Sequence, residues 1–217
     1  MSKPLLVIGN KNYSSWSLRG WLMLKLAGID FTELRIPLRT AGCRDEIRKH
    51  NPAGKVPALK IGAQVIWDSL AIGEYLAEQY SKAWPEDREA RALARSVSAE
   101  MHSSFPALRE SLPMNCRARG RSVSLSQETS RDIARIQEIW RTCRSRHARG
   151  GPWLFGEYSI ADAMYAPVAL RFVTYGIPVG DVEQHYIETV LTLPSMKDWL
   201  RDAQAETEVI ELYEVGK

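Results

Sequence analysis

A chain of 217 residues, of which 45% are hydrophobic and 25% charged, has room for one large domain or two small ones. It contains no run of roughly 18 apolar residues that could cross a membrane, and the apolar stretch in "MSKPLLVIGNKN" is too short for a signal peptide. We therefore expect a soluble, cytoplasmic protein. Three widely spaced cysteines and four scattered histidines predict neither a disulfide framework nor a metal site.

The net charge of +3 hides an uneven distribution. Residues 88–150 hold thirteen arginines and no lysine and sum to +7, whereas residues 151–217 sum to −7. An arginine-rich segment can indicate nucleic-acid binding. However, an acidic segment in the same chain can neutralise it, and no aromatic-interleaved RNA motif is present. We therefore favour solvated helix faces and expect neither a nucleic acid nor a membrane as partner.

The first 80 residues predict a mixed α/β unit. "PLLVIGN" is typical of a short buried strand, the following apolar residues have helical spacing as far as a capping Gly28, and "DFTELRIPL" returns to strand alternation. This strand–helix–strand order implies parallel pairing. "VPALKIG" and "QVIWDS" then predict a hairpin that turns at Gly62 and Ala63, and "SLAIGEYLAEQY" predicts a helix.

The rest of the chain predicts helices only. We place a domain at 1–80, a turn-rich linker at 81–87 and an all-helical domain at 88–217, with helices near 87–111, 126–147, 160–176, 181–192 and 195–204. Ser159 and Asp162 have the spacing of a capping box at the start of a helix. We therefore interpret Asp162 as structural rather than catalytic.

Four motifs in this order resemble those of one protein family. They are "SSWSLRGWLMLKLAGIDF", "NPAGKVPALKIG", "DSLAIGEYL" and "YSIADAMYAPV", and they extend over nearly the whole chain. Together they are similar to the cytosolic glutathione transferases, of bacterial type and most similar to the zeta class. The zeta class usually has cysteine where Trp16 stands. The resemblance implies a thioredoxin-like βαβ–ββα domain followed by a C-terminal helical bundle, glutathione as co-substrate, and a homodimer.

The serines of the first motif are candidates for activating the glutathione thiol. A thiol with a pKa of about 8.5 is only roughly 3% ionised at pH 7, and the thiolate is the nucleophile. A hydroxyl donor at a helix N-terminus can stabilise that thiolate without a general base. The resemblance favours Ser14, with Ser15 as the second candidate, and leaves Ser17 as the helix cap. A serine before a helix is otherwise most often a plain N-cap.

The resemblance also implies where the rest of glutathione binds. Val56–Pro57 would be a cis peptide bond that presents the backbone of Val56 to the cysteinyl unit, and Lys55 could contact the glycyl carboxylate. Asp68 would meet the γ-glutamyl ammonium, while Ser69 would cap a helix and face the γ-glutamyl carboxylate. On the residues alone, an ordinary strand-entry proline and a plain helix cap explain the same patterns.

The second substrate, a small electrophile, is expected between the two domains. Candidate residues for this pocket are Trp16, His102, Phe105, Leu108 and Arg171, although on the residues alone packing or a surface position is the simpler interpretation of each. The indole of Trp16 should narrow the pocket relative to a cysteine. We expect a serine-type glutathione transferase of detoxification. The alternatives are a glutathione-dependent cis–trans isomerase of the maleylacetoacetate type, with Arg171 binding a dicarboxylate, and a non-catalytic interaction module of the same fold.

Overall fold

A four-stranded sheet organises the N-terminal part of the chain. The computed structural model describes residues 3–217. Up to residue 77 the elements are β1 (Leu5–Ile8), α1 (Ser15–Leu26), β2 (Thr32–Arg35), α2 (Cys43–Arg48), β3 (Ala58–Ile61), β4 (Gln64–Trp67) and α3 (Ser69–Ala77). The strand order is β2–β1–β3–β4, with β1 parallel to β2 and antiparallel to β3. The predicted βαβ–ββα unit is confirmed, and it is a thioredoxin-like domain with a mixed sheet.

Local sequence explains how α1 and the hairpin end. Gly28 follows the C-cap residue Ala27 with a φ of +66°, a conformation that glycine adopts at little cost, so the predicted cap is confirmed. Gly62 occupies the turn between β3 and β4 with a φ of +59°. The polar stretch before β3 contains the short helix α2.

The remainder of the described chain is helical. It comprises α4 (Arg88–Ser103), α5 (Pro106–Ser111), α6 (Gln127–His147), α7 (Ile160–Thr174), α8 (Asp181–Thr192) and α9 (Pro194–Ala205), with 3₁₀ turns at Ser81–Ala83 and Glu211–Tyr213. The single helix predicted over 87–111 is wrong. It breaks because Phe105 has a φ of +64° and Pro106, which has no N–H to donate, begins α5.

Helix α7 is buried along its length and packs against α1 and α4. It starts with the predicted capping box, in which Asp162 accepts from the Ser159 backbone N–H at 2.9 Å.

None of the described helices is both long enough and apolar enough to span a membrane. Residues 3–217 also contain no group of three His, Cys, Asp or Glu side chains able to hold a metal ion.

Ion pairs link the arginine-rich segment to the acidic one. Arg121 contacts Glu214 at 2.6 Å, and Arg141 contacts Glu183, which is 1% exposed, at 2.6 Å. Part of the positive charge of residues 88–150 is thus paired with the acidic segment. The predicted domain limits at 80 and 88 remain a prediction, although α3 ends before them and α4 begins at Arg88.

Candidate functional site

A cleft of about 450 Å³ lies where the sheet domain faces α4. Eight of the residues predicted for the site line it: Ser14, Trp16, Lys55, Val56, Pro57, Asp68, Ser69 and His102. Leu38, Ile47, Asn51, Gly54 and Trp67 complete the lining. The cleft therefore brings together residues from three separate sequence motifs and from the first long helix of the second half.

Ser14 lies at the positive end of α1 and borders the cleft. Its hydroxyl accepts weakly from the backbone N–H of Ser17 at 3.3 Å and donates to the Ser17 Oγ at 2.8 Å. Ser14 is thus the N-cap, and the expectation that Ser17 caps the helix is wrong. Ser17 instead accepts from the Gly9 N–H at 3.0 Å, since its side chain points into the protein and is fully buried.

Ser15, the second catalytic candidate, is buried and does not line the cleft. The guanidinium of Arg171 donates to its hydroxyl over a long 3.4 Å contact. Ser14 is the non-helical N-cap and Ser15 is the first residue of α1, and of the two only Ser14 belongs to the cleft lining. The geometry therefore places one serine of the pair, Ser14, at the cleft.

The loop before β3 borders the cleft from Gly54 to Pro57. Its Val56–Pro57 bond is cis, as the resemblance implied. Asn51, which the sequence analysis missed, holds this loop: its amide donates to the Lys55 carbonyl at 2.7 Å and its carbonyl oxygen accepts from Ala53 N–H at 3.0 Å. The Asn51–Pro52 dipeptide is a turn signal that could have identified it.

The N-terminus of α3 forms the opposite end of the cleft. Asp68, not Ser69, is the N-cap, since its Oδ1 accepts from the Leu70 N–H at 2.8 Å; the expected cap at Ser69 is wrong. Asp68 has a φ of +73°, an uncommon conformation that concentrates at functional sites. Ser69 is fully buried, and its Oγ has no hydrogen-bond partner among residues 3–217.

His102 connects the two ends of the cleft. Its Nε2 lies 3.4 Å from Asp68 Oδ2, and its ring meets the Trp16 indole edge-on with centroids 5.2 Å apart. The half-buried Trp16 also has the guanidinium groups of Arg19 and Arg109 within 4.6 and 4.9 Å of its ring. Trp16 is therefore the wall between the cleft and a group of arginines behind it.

Three arginines come together behind Trp16, from α1, α5 and α7. Arg19 is fully buried, Arg171 is 4% exposed, and four guanidinium nitrogens of Arg19, Arg109 and Arg171 have no partner in the described chain. Burial lowers the pKa of Arg19 well below its ordinary value, and the charges of Arg109 and Arg171 lower it further. Burial, then Arg109, lowers the pKa of Arg171 to about 9. These positive charges are close together, with no ion pair to a carboxylate in residues 3–217.

Three of the five candidates for the electrophile pocket do not line the cleft. Phe105 and Leu108 are buried in the hydrophobic core and do not border the cleft. Their apolar character is explained by packing. Arg171 is behind the cleft rather than in its lining, where its Nε donates to the Leu112 carbonyl at 2.7 Å. Arg19 was missed, although a lone charge inside the apolar run "SLRGWLML" could have marked it.

Comparison with known proteins agrees with the family resemblance found in the sequence. Residues 13–79 match the family model "Glutathione S-transferase, N-terminal domain". The chain is therefore similar to the glutathione transferases, most directly in this N-terminal segment. It is similar to the zeta class: the Glutathione S-transferase Z1 of Arabidopsis thaliana is 28% identical over 209 residues, which cover 90% of this chain and 93% of the plant protein. The segment that matches the family model begins at residue 13, so it includes the motif that starts at Ser14.

Other relatives match over different lengths. The "Probable maleylacetoacetate isomerase" of Caenorhabditis elegans is 33% identical over 108 residues, and this alignment spans 49% of the chain and half of the nematode protein. A solved structure of a glutathione transferase homologue from Burkholderia, with bound glutathione, superposes with a TM-score of 0.73 at 24% identity. It covers 94% of this chain and 100% of that chain, so the transferase fold extends over both halves.

Proposed function

We propose that this protein binds glutathione in the cleft beside Ser14 and adds its thiolate to a small electrophile, as a glutathione transferase. The observation that carries the proposal is the position of the Ser14 hydroxyl, at the N-terminus of α1 and in the cleft lining. The similar homologue from Burkholderia was solved with bound glutathione, and residues 13–79 match the model of the glutathione S-transferase N-terminal domain. A cytoplasmic homodimer, acting in detoxification, is part of the same proposal.

Ser14 is suited to stabilise a sulfur anion. A thiolate in the cleft would accept the hydrogen bond that Ser14 now donates to Ser17. The Ser17 hydroxyl would then rotate and donate a hydrogen bond to Ser14. Ser17 keeps its acceptor role toward the Gly9 N–H, so a chain from Gly9 through Ser17 and Ser14 would end at the sulfur. A hydrogen bond to a charged group contributes about 1.5 to 3 kcal/mol, and the end of α1 adds favourable potential.

The two ends of the cleft fit the remainder of the tripeptide. The N–H and carbonyl of Val56 form no hydrogen bond within residues 3–217, so both are free to pair with an extended peptide. Asp68 supplies an anion for an ammonium group, while the unpartnered Ser69 hydroxyl and the N-terminus of α3 suit a carboxylate. Lys55, which also lines the cleft, would meet the glycyl carboxylate of such a ligand.

Calorimetric titration with millimolar glutathione, followed by a chlorodinitrobenzene conjugation assay, tests this proposal. We expect saturable binding to the wild-type protein, and Asp68→Asn should weaken it about tenfold or more because an ammonium partner is lost. Lys25→Met, on the far side of α1 from the cleft lining, is the control and should bind normally. Absence of glutathione binding would instead favour the non-catalytic interaction module.

A second candidate function is glutathione-dependent isomerisation of a carboxylate substrate. The arginines behind Trp16 favour it, since the guanidinium groups of all three have buried, unpartnered nitrogens and form an environment that attracts an anion. Trp16 now separates them from the cleft, which is why conjugation ranks first. Maleylacetone and chlorodinitrobenzene turnover, measured side by side, distinguish the two activities.

Trp16→Cys should shift that balance. Removing the indole opens the way from the cleft to Arg19 and Arg109 and restores the residue usual in the zeta class. We expect the ratio of maleylacetone to chlorodinitrobenzene turnover to rise about tenfold, the size of one charge-assisted contact. Trp67→Cys at the exposed rim of the same cleft is the matched control. An unchanged ratio would count against an anion-binding role for the arginines.

A further inference from the structure

The loop that leads to Ser14 is held by a distant part of the chain. Residues 9–13 connect β1 to α1, and the Ser14 backbone N–H already donates to the Asn10 carbonyl at 2.9 Å. The position of the Ser14 hydroxyl therefore depends on how this loop is fixed. Most of the contacts that fix it come from residues about 100 to 200 positions further along the chain.

Glu206, the residue at which α9 ends, makes the central contact. Its Oε1 accepts from the Lys11 N–H at 2.6 Å and its Oε2 accepts from the Asn12 N–H at 3.0 Å. The Glu206 side chain is only 6% exposed, and Arg35 lies 3.6 Å away. A carboxylate that accepts two adjacent backbone N–H groups in a nearly dry site fixes the loop in both position and orientation.

Tyr13, which directly precedes Ser14, is held by the same segment. Its hydroxyl donates to Glu214 Oε1 at 2.8 Å and accepts from the Ile210 N–H at 3.3 Å and from Arg117 at 3.0 Å. Arg117 also donates to the backbone carbonyls of Glu206 and Glu208. Residues 206–214, which we call the clasp, therefore hold both sides of the loop.

We propose that Glu206 is a positioning residue: by binding the Lys11 and Asn12 N–H groups, it sets the Ser14 hydroxyl at the distance from a bound glutathione sulfur that the thiolate requires. This inference rests on the proposed function, in which Ser14 contacts the sulfur directly and Glu206 acts only through the loop. Catalytic geometry is sensitive to such support, since a misplacement of about 1 Å by a distant substitution can reduce rates by about a hundredfold.

Glu206→Gln tests the inference with almost no change in side-chain volume. The amide keeps one acceptor oxygen but points an N–H₂ group at the second loop N–H, so one contact is replaced by repulsion. With glutathione saturating, we expect the ultraviolet thiolate signal at neutral pH to fall about threefold or more and kcat/KM for chlorodinitrobenzene about tenfold. Glu208→Gln changes a carboxylate of the clasp whose ion pair, at 2.7 Å, is with Arg35 and not with the loop, and it should change neither value.

The readout separates positioning from stability. If Glu206→Gln lowers the melting temperature but leaves the thiolate signal of the bound tripeptide at the wild-type value, the inference is overturned. Tyr13→Phe is the second variant, since it removes only the hydroxyl that contacts the clasp. It should reduce the thiolate signal in the same direction even where Glu206→Gln does not fold, and a wild-type signal in Tyr13→Phe would also overturn the inference.

Amide hydrogen exchange gives a measurement that does not need glutathione. In Glu206→Gln we expect faster exchange at Ser14 and Ser17 as well as at the two contacted residues, because the whole loop loses its support. Faster exchange confined to Lys11 and Asn12 would overturn the inference. If the wild-type protein binds no glutathione, the proposed function fails by itself, and the exchange pattern still decides whether Glu206 positions the loop.

Discussion

Ser14→Ala should leave glutathione bound but mostly protonated at neutral pH. The substitution removes the one serine hydroxyl of the pair that borders the cleft, while Asp68, Ser69 and Val56 remain to hold the tripeptide. Loss of a hydrogen bond to a charged sulfur costs about 1.5 to 3 kcal/mol. We therefore expect the thiolate fraction at pH 7, and with it kcat for chlorodinitrobenzene, to fall by a factor of about five to thirty, since a thiol with a pKa of about 8.5 is still roughly 3% ionised without help.

The pH dependence of this variant identifies the mechanism. If Ser14 stabilises the thiolate, the rate of Ser14→Ala rises toward the wild-type rate as alkaline pH ionises the thiol without help. The ultraviolet thiolate signal, titrated with saturating glutathione, measures the same change directly. A variant that stayed equally slow at every pH would indicate loss of geometry rather than loss of the donor.

The neighbouring serines supply the controls. Ser15→Ala should keep the thiolate signal because Ser15 lies behind the cleft against Arg171. Ser17→Ala should lower stability by about 1 to 3 kcal/mol, since the buried Gly9 N–H loses its acceptor, and should keep most of the signal. Retention of the full signal in all three variants would leave the proposed mechanism without a donor.

Local motifs were readable from the sequence because their physics is local. The βαβ–ββα order, the turn at Gly62 and the box of Ser159 and Asp162 follow from periodicity and capping over a few residues. The N-caps of α1 and α3 were predicted at the wrong residues for an equally local reason. Ser14 and Ser17, like Asp68 and Ser69, are all good N-cap residues, and only the backbone angles decide which one precedes the first helical turn.

The parts that were missed depend on distant pairings. Arg19, Arg109 and Arg171 belong to three helices, and only the packing of α1 against α7 brings them behind Trp16. Glu206 contacts a loop 195 residues earlier, and its sequence surroundings look like an ordinary exposed helix end. Sequence periodicity describes only residues that are a few positions apart, so it indicates neither the arginine group nor the clasp.

Asp162→Ala should be among the most destabilising substitutions in the protein, by about 3 to 5 kcal/mol. The side chain of Asp162 is fully buried, and its two oxygens accept from the backbone N–H groups of Leu154 at 3.1 Å and Ser159 at 2.9 Å. Alanine leaves both donors unpaired inside the protein, at about 1 to 3 kcal/mol each, and removes half of the capping box of α7. Urea unfolding at neutral pH measures the loss.

Helix α7 also carries Arg171 and packs against α1, so destabilising its start should loosen the whole junction between the two halves. Asp181→Ala is the matched control. Asp181 is an acidic residue at the start of α8, but it is exposed, and its removal should cost no more than about 1 kcal/mol. A similar loss in both variants would contradict a special role for the buried box.

The titration of Asp162 predicts how this contribution varies with pH. Burial raises the pKa of Asp162 to about 6, against the hydrogen bonds that lower it, whereas an unfolded aspartate has a pKa of about 3.9. The folded protein therefore binds more protons than the unfolded chain between these values, so this contribution to stability is complete below about pH 4 and is lost as pH rises through about 6. The difference corresponds to about 3 kcal/mol.

Asp162→Asn isolates that effect, because asparagine cannot titrate and other acids contribute equally to both proteins. We expect the free energy of unfolding of the wild type, minus that of Asp162→Asn, to decrease between about pH 4 and pH 6.5 and to be flat above. A difference that increases over the same interval would mean that the bonds from Leu154 and Ser159 outweigh burial. The capping box would then favour the carboxylate, and α7 would be stabilised by a buried charge.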